Sequence, residues 1–350
     1  MLPTYSSNVI LAKARAMYGR RLTPEHYRDL LACRTVGEIA AYLKNQTDYG
    51  SILAGVNEND IHRGQLEVKL RQKLFEDSSA LCRYEVTIGE HFAKYLISRS
   101  EIEQILHSLV LLGGDVPEEY LFALPSYLTA HTRLNLAALS HIRSYDDLLL
   151  AVSHTPYRKP LERFRPAPGV PLAYTGIENA LYSYLYGEVF DVIRKHTRGE
   201  TAAQLRQMFE SYIDLQNVLR IMRLRFIHRE ETDVVRSALL PFGQLHDRHL
   251  NALLEAHTRE EVTAIMRKTP LGRYFVRAQG SYAYAEQLMN RTKYDVCRRD
   301  IRFSTHPSVV LISYIFLKEI EIGDLITIVE GIRYQLAPEE IKSMLTVVDF

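Results

Sequence analysis

Strand and hairpin punctuation is scarce in this sequence. Neither Asn-Gly nor Asp-Gly occurs, and glycine supplies only 17 of 350 residues, so the tight turns that join antiparallel strands have few places to form. Cysteine is limited to Cys33, Cys82 and Cys297. That odd, widely spaced set argues against a disulfide framework or a structural zinc site, and reduced thiols buried as small hydrophobes are expected. Neither sign of charge dominates: 43 Lys and Arg face 42 Asp and Glu. The basic excess used to neutralise phosphates is missing, so no nucleic-acid partner is expected. The longest apolar run, Val309–Leu317, is about half of what a bilayer-spanning helix needs and reads as a buried helix segment. Met1 to Ser6 show no basic region leading into an apolar stretch, so no secretion signal is expected.

Catalytic signatures are missing as well. No Gly-Lys-Ser or Gly-Lys-Thr phosphate loop, GxGxxG, HExxH or GxSxG occurs, which removes the usual nucleotide, metalloprotease and nucleophile-elbow readings. His246, Asp247 and His249, with His257 nearby, form the best metal candidate, but a third convergent ligand is not evident and a solvated helix surface is expected. Glu101 and Glu321 could in principle form an acid/base pair. Their matching positions in a repeat argue instead for a structural rule. No catalytic residue, cofactor or metal is predicted.

What is present is helical. Ile39 and Leu43, and Ile102, Ile105, Leu106 and Leu109, recur at helical spacing. Thr23-Pro24 reads as an N-cap followed by a first-turn proline, and Thr258 to Glu261 as a capping box. An all-α fold follows.

The chain also repeats itself. A leucine, an acid eight positions later followed by an aliphatic residue, and a threonine eight or nine further on occur three times. The copies are Leu30, Glu38-Ile39, Thr47; Leu139, Asp147-Leu148, Thr155; and Leu253, Glu261-Val262, Thr269. Longer helical stretches alternate with these short units. Each opens on a glutamate (Glu67, Glu178, Glu286) and carries, 34 to 36 residues later, an acid with a polar residue three positions on. These pairs are Glu101/Gln104, Asp214/Asn217 and Glu321/Asp324, spaced 113 and then 107 residues apart. Three homologous helical units are expected over residues 1–112, 113–228 and 229–350.

Residues three apart share a helix face, so Asp214, Asn217, Arg220 and Arg223 predict a polar row, as do Glu321, Asp324, Thr327 and Glu330. Such a row either bonds neighbouring helices together or forms an inner wall that grips a protein partner. The proline-broken basic stretch from Tyr157 to Pro168 predicts an exposed loop.

Several stretches then resemble one family. Tyr5, Arg15, Leu22, Tyr27, Leu30-Leu31, Glu38-Ile39 and Thr47-x-Tyr49 resemble the opening of the AC39 family, the C-type stalk component of the V-type ATPases. SYIDLQNVLRIMRLRF at 211–226 resembles its central helix, and KEIEIGDLITIVEGIRYQLAPEEI at 318–341 its C-terminal segment. The resemblance runs in order over nearly the whole chain, with Gln104 where an asparagine would be expected. It implies three helical domains in a pseudo-threefold funnel, peripheral to the membrane on its cytoplasmic face and not inserted. It also implies a central cavity that receives the shaft proteins D and F, and a seat on the proteolipid rotor ring. The implied role is torque transmission between ATP hydrolysis or synthesis and H+ or Na+ movement, with Asp214, Asn217, Arg220 and Arg223 as candidate shaft-facing residues. Another helical-repeat scaffold for a protein partner is the alternative.

Overall fold

The short repeated motif builds a helix start. Thr35, Ser144 and Thr258 each stand just before a helix in extended conformation and accept from the backbone N–H of the repeated acid, Glu38, Asp147 and Glu261. The acid reaches back in turn, accepting from Arg34 N–H at 2.7 Å, Arg143 N–H at 3.0 Å and His257 N–H at 2.8 Å. Donors with no partner inside the helix are thereby satisfied. The following aliphatic residue, Ile39, Leu148 or Val262, is buried, as are Leu30, Leu139 and Leu253. At the far end Thr47, Thr155 and Thr269 donate their hydroxyls to Leu43, Val152 and Met266 carbonyls and close the helix.

The computed structural model describes residues 3–86, 88–112, 125–167, 169–273 and 285–347. Helix α1 (Pro3–Gly19) leads into the first short unit, α2 (Pro24–Ala32), α3 (Val36–Gln46) and α4 (Gly50–Leu53), and then the long hairpin α5 (Arg63–Cys82) and α6 (Gly89–Leu112). The second short unit is α7 (Ser126–Thr129), α8 (Leu136–Leu139), α9 (Tyr145–Ala151) and α10 (Arg158–Glu162), followed by the hairpin α11 (Tyr174–His196) and α12 (Gly199–Met222). A π-turn (Arg223–Ile227) and α13 (Thr232–Ser237) precede the third short unit, α14 (Asp247–Glu255) and α15 (Arg259–Met266). The last hairpin is α16 (Ala285–Phe303) and α17 (Pro307–Arg333), with α18 (Pro338–Met344) closing the chain. The described residues contain no strand, and the fold is all-α.

Helix α17 is the centre of the molecule. From Ser308 to Leu317 every residue is buried, which accounts for the Val309–Leu317 run, and each such aliphatic side chain contributes roughly 1.5–3 kcal/mol. The first short unit packs on its C-terminal half: Ile39, Leu43, Ile52 and Leu53 share a core with Ile322, Leu325 and Ile328. The third short unit packs the same way on α12, with Leu253, Val262 and Met266 against Val218 and Ile221. No described helix is long and apolar enough to cross a membrane.

Two expectations change. Residues 158–162 form a short helix although a loop was expected, because Pro160 sits in its first turn, where a missing N–H costs nothing. Arg158 pairs with Glu162, and Arg165 with Asp146. Cys82 and Cys297 are buried, and burial pushes both thiols up to about 12, but Cys33 is only partly covered.

Candidate functional site

Helices α6, α12 and α17 carry equivalent residues to one place. Five positions before the repeated acids stand Leu96, Phe209 and Phe316, all buried in one core, with the two phenyl rings edge to face at 5.8 Å. One turn further on, two positions before the acids, stand Arg99, Tyr212 and Glu319, and all three line a single hollow of about 600 Å³. Another turn on come Glu103, Gln216 and Gly323. Gln216 and Gly323 line the same hollow, and Glu103 and Gly323 line an adjoining one of about 330 Å³. The hollow therefore lies above this apolar core and has polar walls, with residues from all three long hairpins on them.

Its floor is crossed by an ion-pair network. Glu319 pairs with Arg99 and, at 3.2 Å, with Lys293, whose ammonium also lies 3.9 Å from the Phe316 ring centre and 4.1 Å from that of Tyr212. Burial alone would raise the Glu319 carboxyl, but the two cations outweigh it and hold the group below the usual carboxylate range. The network is satisfied internally, so it stiffens the convergence of the three hairpins. Higher up, Arg220 is held by Glu178 at 3.4 Å, Asn179 and the Ala238 carbonyl. Glu286 and Asn290 of α16 complete that wall.

The repeated acids face another way, each fastening its long helix to the next short unit. Glu101 accepts from Tyr157 at 2.6 Å and from Thr132. Asp214 accepts from the backbone N–H of Gln244 and Leu245 at 3.2 and 3.3 Å, and Asn217 exchanges two bonds with Leu240. Glu321 accepts from Leu22 N–H and Tyr49 at 2.8 Å, and from Lys318 at 2.7 Å. Asp324 accepts from Thr346 and Val347 N–H at 2.7 and 3.0 Å, and from Tyr27 at 3.5 Å. Where Tyr49 and Tyr157 follow their threonines by two residues, the third unit has Leu271. The shorter Asp214 there holds a loop that approaches through Gly243, whose missing Cβ would collide with the carboxylate. Burial pushes the carboxyls of Asp214 and Asp324 up to about 7, against the backbone donors that favour their charged forms.

The expected polar row is thus divided. Asp214 and Asn217 are buried on residues 240–245, Arg220 lines the hollow, and Arg223 is exposed. Steps of three residues fall back about 60° on each turn of a 3.6-residue helix, so positions nine apart lie on opposite faces. The hollow is lined by steps of four, Tyr212, Gln216 and Arg220 or Glu319, Gly323 and Thr327. A search at that spacing would have found them. Glu101 and Glu321 serve different joints and do not meet, Gln104 is half-buried beside Glu101, and Asp324 also edges the hollow.

Among the described residues no group of three or more His, Cys, Asp or Glu side chains converges as a metal site requires. The His246 and His249 rings lie 6.3 Å apart.

Comparison with known proteins bears on this arrangement. Residues 10–344 match the family model for the ATP synthase (C/AC39) subunit. The chain is also 19% identical over 341 residues to the C subunit of the A-type ATP synthase of Pyrococcus furiosus, an alignment that covers 95% of this chain and 88% of that relative.

Proposed function

The chain belongs to the C/AC39 family of ATP synthase subunits, and from that premise we propose that it is the non-catalytic central-stalk adaptor of a rotary V-type ATPase. In this role three helical units, residues 1–112, 113–228 and 229–350, stand round a pseudo-threefold axis. The hollow at that axis receives the tip of the D–F shaft. The opposite end, where the hairpin turns and α16 leave Tyr84, Val86 and Phe303 exposed, rests on the rotor ring at the cytoplasmic face of the membrane. Torque passes through the adaptor between ATP hydrolysis or synthesis in the head and H+ or Na+ movement in the ring.

The observation that carries this reading is the convergence of repeat-equivalent residues on one polar hollow: Arg99, Tyr212 and Glu319, then Gln216 and Gly323, with Glu103 on the adjoining hollow. A polar seat above an apolar core suits a protein joint that assembles and comes apart, because polar walls remain stable in water when empty. No step of the proposed role requires chemistry at these residues. The ion pairs they make are internal.

The test is capture of reconstituted D–F shaft by the purified chain, with ATP hydrolysis by the chain alone as the control. One-to-one capture with no hydrolysis supports the adaptor role, and a folded chain that ignores the shaft removes it. Reversing Arg220 would disturb its bonds to Glu178, Asn179 and Ala238. The cleaner probe is Gly323→Trp, because a Cβ added there meets no other atom within 4 Å and its ring would extend into the hollow. It is expected to block capture while leaving the helical spectrum unchanged.

A further inference from the structure

Resting on the adaptor reading, we infer that the hollow is a keyed socket, which admits its occupant in one of the three rotational settings that its backbone would otherwise allow. The backbone repeats, but the walls do not. Two residues past each repeated acid stand Glu103, which lines only the adjoining hollow, and, on the walls of this one, an amide, Gln216, and no side chain at all, Gly323. An added Cβ at Gly323 would find no atom within 4 Å, so the α17 wall is recessed. The Glu286 carboxylate stands beside that recess, lining both hollows with Gly323. The α12 wall is filled instead, by Gln216 and by an Arg220 guanidinium fixed through Glu178 and Asn179. An occupant turned by a third of a revolution would place its bulk against Gln216 and leave the recess empty.

Shape and charge together describe the partner. It is an elongated protein tip whose bulkiest side, with a basic group toward Glu286, is turned to Gly323. Its slimmer side, bearing acceptors for Gln216 and Arg220, is turned to α12. Misfit at a wall, more than added attraction, supplies the discrimination. A single setting also serves the proposed role, because it fixes the phase between whatever turns in the socket and whatever the socket is mounted on.

The experiment uses the full chain with Cys33→Ser, since Cys82 and Cys297 are buried. Gln216→Cys or Gly323→Cys is introduced, complexed with the D–F shaft, and only then treated with a short thiol-to-amine crosslinker, so that no bulky label occupies the recess before binding. Adducts on the shaft are then mapped by mass spectrometry. A keyed socket gives different shaft residues from the two walls, with yields at any one residue differing at least tenfold. The same shaft residues in equal yield from both walls overturn the inference, because the shaft then seats in all settings. Failure to form the complex overturns the adaptor reading on which the inference rests.

Discussion

At Gly323 the backbone is helical and an added Cβ would meet no other atom within 4 Å, so the residue pays the entropic cost of glycine in a helix without relieving any clash. Gly323→Ala is expected to stabilise the fold by about 0.5–1 kcal/mol, read from urea unfolding. The buried carboxyls behave differently. Asp324, pushed up to about 7, keeps in the folded state a proton that the unfolded chain releases near its ordinary value of about 4. Its contribution to stability is therefore full below about pH 4 and is lost as pH rises toward 7. The urea midpoint should fall between about pH 5 and pH 7.5, and Asp324→Asn should flatten that fall whatever its effect on stability at a single pH. An unchanged slope in the variant would remove Asp324 as its source.

Among the elements, the short units were the most legible in the sequence. Leu30, Glu38-Ile39 and Thr47 form a complete helix grammar of buried anchor, reciprocal cap and hydroxyl stop, and each part is encoded locally. What lay beyond sequence reasoning was the partner of each repeated acid, because those partners come from other units: Tyr157 for Glu101, Tyr49 for Glu321. Tyr157→Phe removes the donor from a buried carboxylate and should cost about 1–3 kcal/mol. Hydrogen exchange would then speed up in α9 and α10 while the first short unit stays protected; equal loosening of both would sink this assignment. The π-turn was also invisible beforehand. Asp324 reaches the left-handed Gln335 in eleven residues and Asn217 reaches the left-handed Arg229 in twelve, so the turn accommodates one extra residue before a similar helix ending.

Across the whole molecule, helical character and a threefold repetition could be read from periodicity and spacing, whereas the convergence of three long hairpins on one hollow could not. The row with three-residue steps, Asp214 to Arg223, lies on a helix that lines the hollow, but of its four residues only Arg220 lines it, because that spacing winds round the axis. The first and last parts of the chain are joined on α17 without any covalent link: Glu321 holds Leu22 and Tyr49 across 299 and 272 residues. Glu321→Ala leaves the buried Lys318 ammonium without its carboxylate and should cost about 3–5 kcal/mol. Exchange should rise in α2 to α4 and remain unchanged in α14 and α15.

With the three units set round an axis as proposed, this non-covalent join would give the molecule the mechanics of a hoop. In the role proposed above, a wedge seated in the hollow and turned under load would stretch the wall around it, and the tension would run through each joint in series. Peptide bonds span the joints at Glu101 and Asp214, but the one at Glu321 and Asp324 is held, among the described residues, by hydrogen bonds, packed aliphatic side chains and the Arg63–Glu330 ion pair. Were the chain to carry torque as proposed, the yield point of the hoop would be set there, and the largest twist before slipping would follow from the grip of α17 on residues 22–49.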